Sequence, residues 1–122
     1  GTTYGGNPLA CAAVNAVFDQ FEEKKIPEHV EKVGQYLWDQ LETLKKEFCT
    51  ITAHRGLGLM QGLEFAPEKS AGEIVSLALE KGLILMTAGN NVIRFVPPLI
   101  IEEKHVDEMM KILREVLKEK DC

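Results

Sequence analysis

The apolar spacing of this chain changes period at one point, and that switch limits the folds open to it. Val30, Val33, Leu37, Leu41, Leu44 and Phe48 recur every three or four residues. This spacing predicts an amphipathic helix with one apolar stripe and a charged outer face. Between Ile51 and Phe65 the period falls to two, with Leu59, Leu63 and Phe65 alternating with Met60, Gly62 and Glu64. That is the signature of strand with one buried face. A striped helix followed at once by one-sided strand calls for a shared core between helices and a sheet.

The rest of the chain repeats the theme. Asn7 is a favoured N-cap and Pro8 suits the first helical position, so a first helix is expected from about Pro8 to Lys24. Leu9, Ala12, Ala13, Ala16, Val17 and Phe21 form one face, and Ala10, Cys11, Val14 and Phe18 cover most of the remainder. A helix apolar nearly all round is a buried helix. A domain this small cannot surround one of that length, so the chain reads as the C-terminal piece of a larger protein. Ile26-Pro27 breaks the helix and the striped second helix begins at Pro27. Gly34 within it permits close packing, and Trp38 beside the stripe is a packing anchor.

Ser70 and Glu73 have capping-box spacing for a third helix, with Ile74, Val75, Leu77, Ala78 and Leu79 on its buried side and Gly82 as its C-terminal cap. Leu83 to Met86 reads as a short buried strand, Ala88-Gly89-Asn90-Asn91 as a turn, and Val92 to Val96 as the next strand, ended by Pro97-Pro98. A last amphipathic helix is expected from about Glu102 to Lys120, with Val106, Met109, Met110, Leu113, Val116 and Leu117 inward. The order is two helices, strand pair, helix, strand pair, helix. It predicts an α+β, two-layer domain whose helices cover one face of a short, mostly antiparallel sheet.

Composition narrows the function classes. The 122 residues make one domain, with room to bury roughly 65% of the unfolded surface. A net charge of −5 without a basic stripe argues against a nucleic-acid surface. No apolar run approaches a membrane span, and no stretch of these residues reads as a signal peptide. Cys11, Cys49 and Cys122 lack metal-ligand or CxxC spacing and read as reduced cytosolic thiols, Cys11 as a small core residue. His29, His54 and His105 are scattered and read as surface or structural residues. Gly56-x-Gly58-x-x-x-Gly62 superficially resembles a dinucleotide fingerprint, but its spacing is wrong and it leads into a strand.

Two stretches carry possible chemistry. Gly1-Thr2-Thr3-Tyr4-Gly5-Gly6-Asn7 joins two adjacent threonine hydroxyls and the pair Gly5-Gly6 to a helix start, which suits either an anion cradle or a plain turn. Arg94 stands inside the apolar run Val92-Ile93-Arg94-Phe95-Val96-Pro97-Pro98-Leu99. Its guanidinium must meet water or an anion there, so it is either a solvent-facing strand arginine or a two-point carboxylate binder.

Three segments, Gly1–Ala13, Arg55–Gly62 and Ile93–Leu99, resemble in order the class III (subgroup II) pyridoxal-phosphate aminotransferases, nearest to the acetylornithine and ornithine members. The resemblance covers nearly the whole chain. It implies the small C-terminal domain of the fold-type I enzymes, residues 1–122, with residues 1–25 the cofactor-facing loop and connecting helix. Thr3 matches the threonine whose hydroxyl binds pyridoxal 5'-phosphate, in that family at the partner subunit's site in a homodimer. Thr2 matches the neighbour that borders substrate, and Arg94 the arginine that grips the α-carboxylate of glutamate or 2-oxoglutarate. The Schiff-base lysine lies upstream in that family, so no catalytic residue is expected here and the chain alone is expected to be inactive. The implied reaction is amino transfer between N2-acetyl-L-ornithine and 2-oxoglutarate in arginine biosynthesis, in the cytoplasm. Ornithine, 4-aminobutyrate or succinyl-diaminopimelate are alternative substrates. A free-standing, non-catalytic interaction domain is the reading from a different class.

Overall fold

The computed structural model describes residues 1–118. Its elements are α1 (Pro8–Glu23), α2 (Ile26–Glu47), β1 (Ile51–Leu57), β2 (Met60–Phe65), α3 (Ala71–Glu80), β3 (Met86–Ala88), β4 (Val92–Phe95) and α4 (Glu103–Lys118). The expected end of the last helix at Lys120, and Cys122, lie outside the described residues.

The strands form one sheet in the order β1-β2-β4-β3, every neighbour antiparallel. Its covered face presents Leu63, Phe65, Ile93 and Phe95, all buried, to the helices. The stripe of α2 supplies Val33, Leu37, Leu41 and Leu44, and α4 supplies Val106, Met110, Leu113, Val116 and Leu117. The apolar spacing of both helices thus became one core, shared with Ile74 and Ala78 of α3. The other face of the sheet is open, with Arg55, Met60, Met86 and Arg94 exposed.

Local signals set the corners. Asn7 caps α1, its Oδ1 accepting from Ala10 N at 3.0 Å. The Ser70 side chain accepts from Glu73 N at the start of α3. At the far end of α3, Leu83 N donates to Ala78 O at 2.8 Å and Gly82 N to Leu79 O at 3.0 Å, with Gly82 at φ +85°. This is a Schellman closure, whose left-handed residue favours glycine. Lys25, at φ 48°, makes the corner between α1 and α2.

Four expectations need correction. The strand placed over Leu83 to Met86 begins only at Met86. The Schellman turn throws the chain outward first, and Ile84 is 80% exposed. Leu79 is exposed rather than inward, because it lies five residues, about 140°, around the helix from Ile74. Arg55 to Leu57 belong to a strand of their own, β1, which turns through Gly58 and Leu59 into β2. Finally, α1 buries no residue, so Cys11, expected in a core, is exposed. The C-terminal half of α1 meets the domain where Val17 and Phe21 share a hollow with Ile26, Leu99 and Ile100.

Candidate functional site

Arg94 reaches the open face through strand alternation. Ile93 and Phe95 point into the core, so the residue between them must point out. Register then fixes its neighbours. Arg94 lies opposite Gly62 on β2 and opposite Met86 on β3, while Gly62 lies opposite Arg55 on β1. Arg55, Gly62, Arg94 and Met86 therefore form one row across the open face. Glu64, two residues along β2, shares that face and accepts from Arg55 Nη2 at 2.7 Å. Arg94 makes a weak polar contact, Nη2 to Met86 Sδ at 3.9 Å. Among the described residues it has no ion pair, so its fork is available to an anion. A cleft of about 330 Å³ opens beside it, walled by Leu37, Leu85, Phe95, Pro98 and Met109.

The Thr2–Thr3 loop is on a different element. Thr2 Oγ1 accepts from Tyr4 N at 3.1 Å, and Gly5 N donates back to Thr2 O at 3.4 Å. Thr2 thus helps hold the turn, while the Thr3 side chain is exposed beside the N-terminus of α1. The first turn of α1 carries no acidic residue to compensate the positive helix end. An exposed hydroxyl in the loop leading into such a helix start is chemistry that could take a phosphate group. Among the described residues no hydrogen bond or ion pair joins this loop to Arg94.

The histidines are structural. His54 has a fully buried side chain. It stacks on Trp38 with ring centroids 3.9 Å apart, and contacts Glu42 Oε1 at 2.8 Å and Gln61 Oε1 at 3.1 Å. His29 Nε2 lies 2.7 Å from Ile101 O, and His105 Nδ1 accepts from Glu102 N at 2.9 Å. Among the described residues no cluster of side chains is arranged to hold a metal ion. None of their helices is long and apolar enough to cross a membrane.

Sequence reading missed Asn91. Its Oδ1 accepts from Ala71 N at 2.8 Å, and its Nδ2 lies 2.9 Å from each of the carbonyls of Phe65, Ala66 and Lys69. It ties the end of β2 to the start of α3 and to the turn that delivers β4, and so it sets the strand that carries Arg94. The available signal was an asparagine in a turn, a residue tolerant of the left-handed φ of 57° found here.

Comparison with known proteins agrees with this fold. Residues 1–117 match the model of the family described as aminotransferase class-III. The acetylornithine aminotransferase of Caldanaerobacter subterraneus subsp. tengcongensis is 48% identical over 118 residues, which is 97% of this chain and 30% of that protein. The solved acetylornithine aminotransferase of Elizabethkingia anophelis superposes with a TM-score of 0.88 at 32% identity, covering 98% of this chain and 31% of that one. A PLP-bound amine transaminase from an uncultivated Pseudomonas species gives a TM-score of 0.89 at 29% identity, over 98% of this chain and 29% of that one. The chain therefore spans about three tenths of the length of these relatives. In sequence and in fold, this chain belongs to the class III aminotransferases.

Proposed function

We propose that the chain is the C-terminal domain of a pyridoxal-phosphate-dependent aminotransferase that moves an amino group between N2-acetyl-L-ornithine and 2-oxoglutarate. The observation that carries this reading is the 48% identity, over 97% of the chain, with a protein named acetylornithine aminotransferase. In this reading the chain supplies two binding elements rather than the reacting group. Arg94 holds the α-carboxylate of glutamate or 2-oxoglutarate through the two parallel N–H donors of its guanidinium. The apolar cleft wall beside it excludes water and strengthens that contact. Thr3 donates its hydroxyl proton to the cofactor phosphate at the end of α1, and Thr2 shapes the loop next to the substrate. When bound, pyridoxal 5'-phosphate supplies a conjugated ring that takes up electrons from the substrate's amino-bearing carbon.

The same reading makes residues 1–25 a cofactor-facing arm, the parent a cytoplasmic homodimer of arginine biosynthesis, and the chain by itself inactive. The exposed apolar sides of α1 support the homodimer, since uncovered patches of this kind mark interfaces.

The test is Arg94→Lys in the full-length protein, followed by single-turnover kinetics of both half-reactions. Lysine keeps the charge and loses the planar fork. The glutamate or 2-oxoglutarate half-reaction is expected to slow by about a hundredfold, and the acetylornithine half-reaction much less. Equal, small losses in both would return Arg94 to a solvent-facing strand arginine.

A further inference from the structure

The geometry assigns to Asn91 a positioning role: its side chain fixes where along β2 the strand β4 sits, and so where on the open face Arg94 meets an anionic substrate. The inference rests on the reading of Arg94 as the carboxylate-binding residue.

The pleat alone does not settle that position. Ile93 and Phe95 are buried, so alternation keeps Arg94 on the open face. A one-residue slip of β4 would turn it inward. A two-residue slip would leave it outward but carry it about 7 Å along the strand, opposite Glu64 or Met60 instead of Gly62. β4 is short, Val92–Phe95, so its ladder to β2 is short as well. An anchor outside the ladder therefore adds to the choice of register.

Asn91 is that anchor. It immediately precedes β4, and its main-chain carbonyl accepts from Phe65 N at 3.0 Å. Its Nδ2 shares two hydrogens among the carbonyls of Phe65, Ala66 and Lys69, each 2.9 Å away. Its Oδ1 accepts from Ala71 N, in the first turn of α3, at 2.8 Å. The opposite amide orientation would set oxygen against three carbonyls, so the orientation is fixed. The partners are themselves held by the core. Ala71 is buried, and the buried Lys69 ends on α4, its Nζ donating to Leu117 O at 3.1 Å. A slip of two residues would carry the carboxamide away from all four partners. Arg94 follows three residues later in a regular ladder, so a displacement at Asn91 is passed on to the guanidinium. Misplacement by about an ångström is enough to weaken a two-point contact. Asn91 thus acts on the anion through Arg94 and does not itself contact it.

The test uses two variants of the full-length protein. Asn91→Gly accepts the left-handed backbone, φ 57° here, and removes only the clamp. Asn91→Asp keeps the acceptor for Ala71 N and loses the amide donors. Both are expected to raise KM for 2-oxoglutarate about three- to tenfold, with kcat and the KM for acetylornithine within about twofold of the parent. In an Arg94→Lys background, Asn91→Gly is expected to add little, because the side chain it positions has gone. A further three- to tenfold rise in that background would overturn the inference, since the effect would then bypass Arg94. An unchanged KM beside a lowered Tm would overturn it in favour of a purely structural role, and so would equal rises for both substrates. Failure of both variants to fold would likewise assign Asn91 to folding and overturn the positioning role. Any of these beside an intact selective defect in Arg94→Lys sinks this inference alone. Loss of that selective defect sinks the underlying reading of Arg94, and this inference with it.

Discussion

Gly34 in α2 and Gly58 in the β1–β2 turn approach so closely that a Cβ built on Gly34 would stand 2.6 Å from the carbonyl carbon of Gly58. Gln61 fastens the junction. Its Nε2 donates to Gly34 O at 2.9 Å and to Gly58 O at 2.7 Å. With both amide hydrogens committed, the carboxamide oxygen is fixed toward His54 Nε2. This buried side chain, together with the stacking of His54 on Trp38 and its contact with Glu42, pins to α2 the hairpin that carries Arg55 and Gly62.

Gln61→Met keeps the volume and removes every polar contact. It strands two carbonyls and the His54 Nε2, so a loss of about 2–4 kcal/mol is expected. Gly34→Ala, with its overlap against backbone rather than a movable side chain, is expected to cost about 3 kcal/mol or more. Urea unfolding checks both. Midpoints near that of the parent would show that the hairpin is held by its apolar contacts alone.

The α2–α4 seam gives a pH signature. Arg114 Nε donates to Glu47 Oε2 at 2.8 Å and Nη2 to Oε1 at 3.1 Å. Hydrogen bonding to Arg114 holds the Glu47 carboxyl below the usual carboxylate range, partly opposed by burial, and the same bond raises Arg114. A carboxyl lowered in the folded state contributes stability above its unfolded value of about 4.3 and loses it as pH falls through the folded value. The two side chains remain 31% and 37% exposed, so solvent screening limits the contribution to about 0.5–1 kcal/mol. Arg114→Gln is expected to show that deficit at pH 7 and to lose it as pH falls through the lowered range of the Glu47 carboxyl. A deficit independent of pH from 7 to 3 would assign the effect to packing.

Much of this fold was legible in the sequence because the signals are local. The stripes of α2 and α4 coincide with the buried residues, and the caps at Asn7, Ser70 and Gly82 are local hydrogen-bond chemistry. The outward turn of Arg94 follows from its place between Ile93 and Phe95. What escaped depends on distant partners. Gln61 meets a carbonyl 27 residues away, and Asn91 meets groups 20 to 26 residues away. No spacing rule reports such contacts. Cys11 was misplaced for a related reason: an apolar helix announces that it is to be covered, not by what. The weighing of Arg94 and Thr3 as site residues came from family resemblance, since a strand arginine and a loop threonine are chemically ordinary in isolation.

α1 separates folding from association. It buries no residue, and Val14 and Phe18 are exposed on it. The domain core does not need them, whereas a contiguous apolar surface promotes self-association. The chain is expected to associate with rising concentration in sedimentation velocity. Val14→Gln with Phe18→Gln is expected to reduce that association while leaving thermal stability within about 0.5 kcal/mol. A parent chain monomeric at millimolar concentration would overturn the first expectation, and a large drop in Tm for the variant the second.

Thr3 offers the sharpest test of the N-terminal loop. Its side chain is exposed, whereas the Thr2 hydroxyl already accepts from Tyr4 N. The two neighbours are thus separable by mutation. Thr3→Val preserves the β-branched shape and removes only the hydroxyl, so the loop is expected to keep its turn. A hydrogen bond to a charged phosphate contributes roughly 1.5–3 kcal/mol, and its loss in the full-length protein is expected to weaken pyridoxal 5'-phosphate binding by about ten- to a hundredfold. Thr2→Val removes the acceptor for Tyr4 N. Its expected effect is a looser loop, with a smaller change in cofactor affinity and a larger one in KM for the amino donor. Equilibrium dialysis of the cofactor with each variant distinguishes them. Equal affinities in Thr3→Val and the parent would show that this hydroxyl faces only water, and the loop's contribution would then lie in its backbone and in the start of α1.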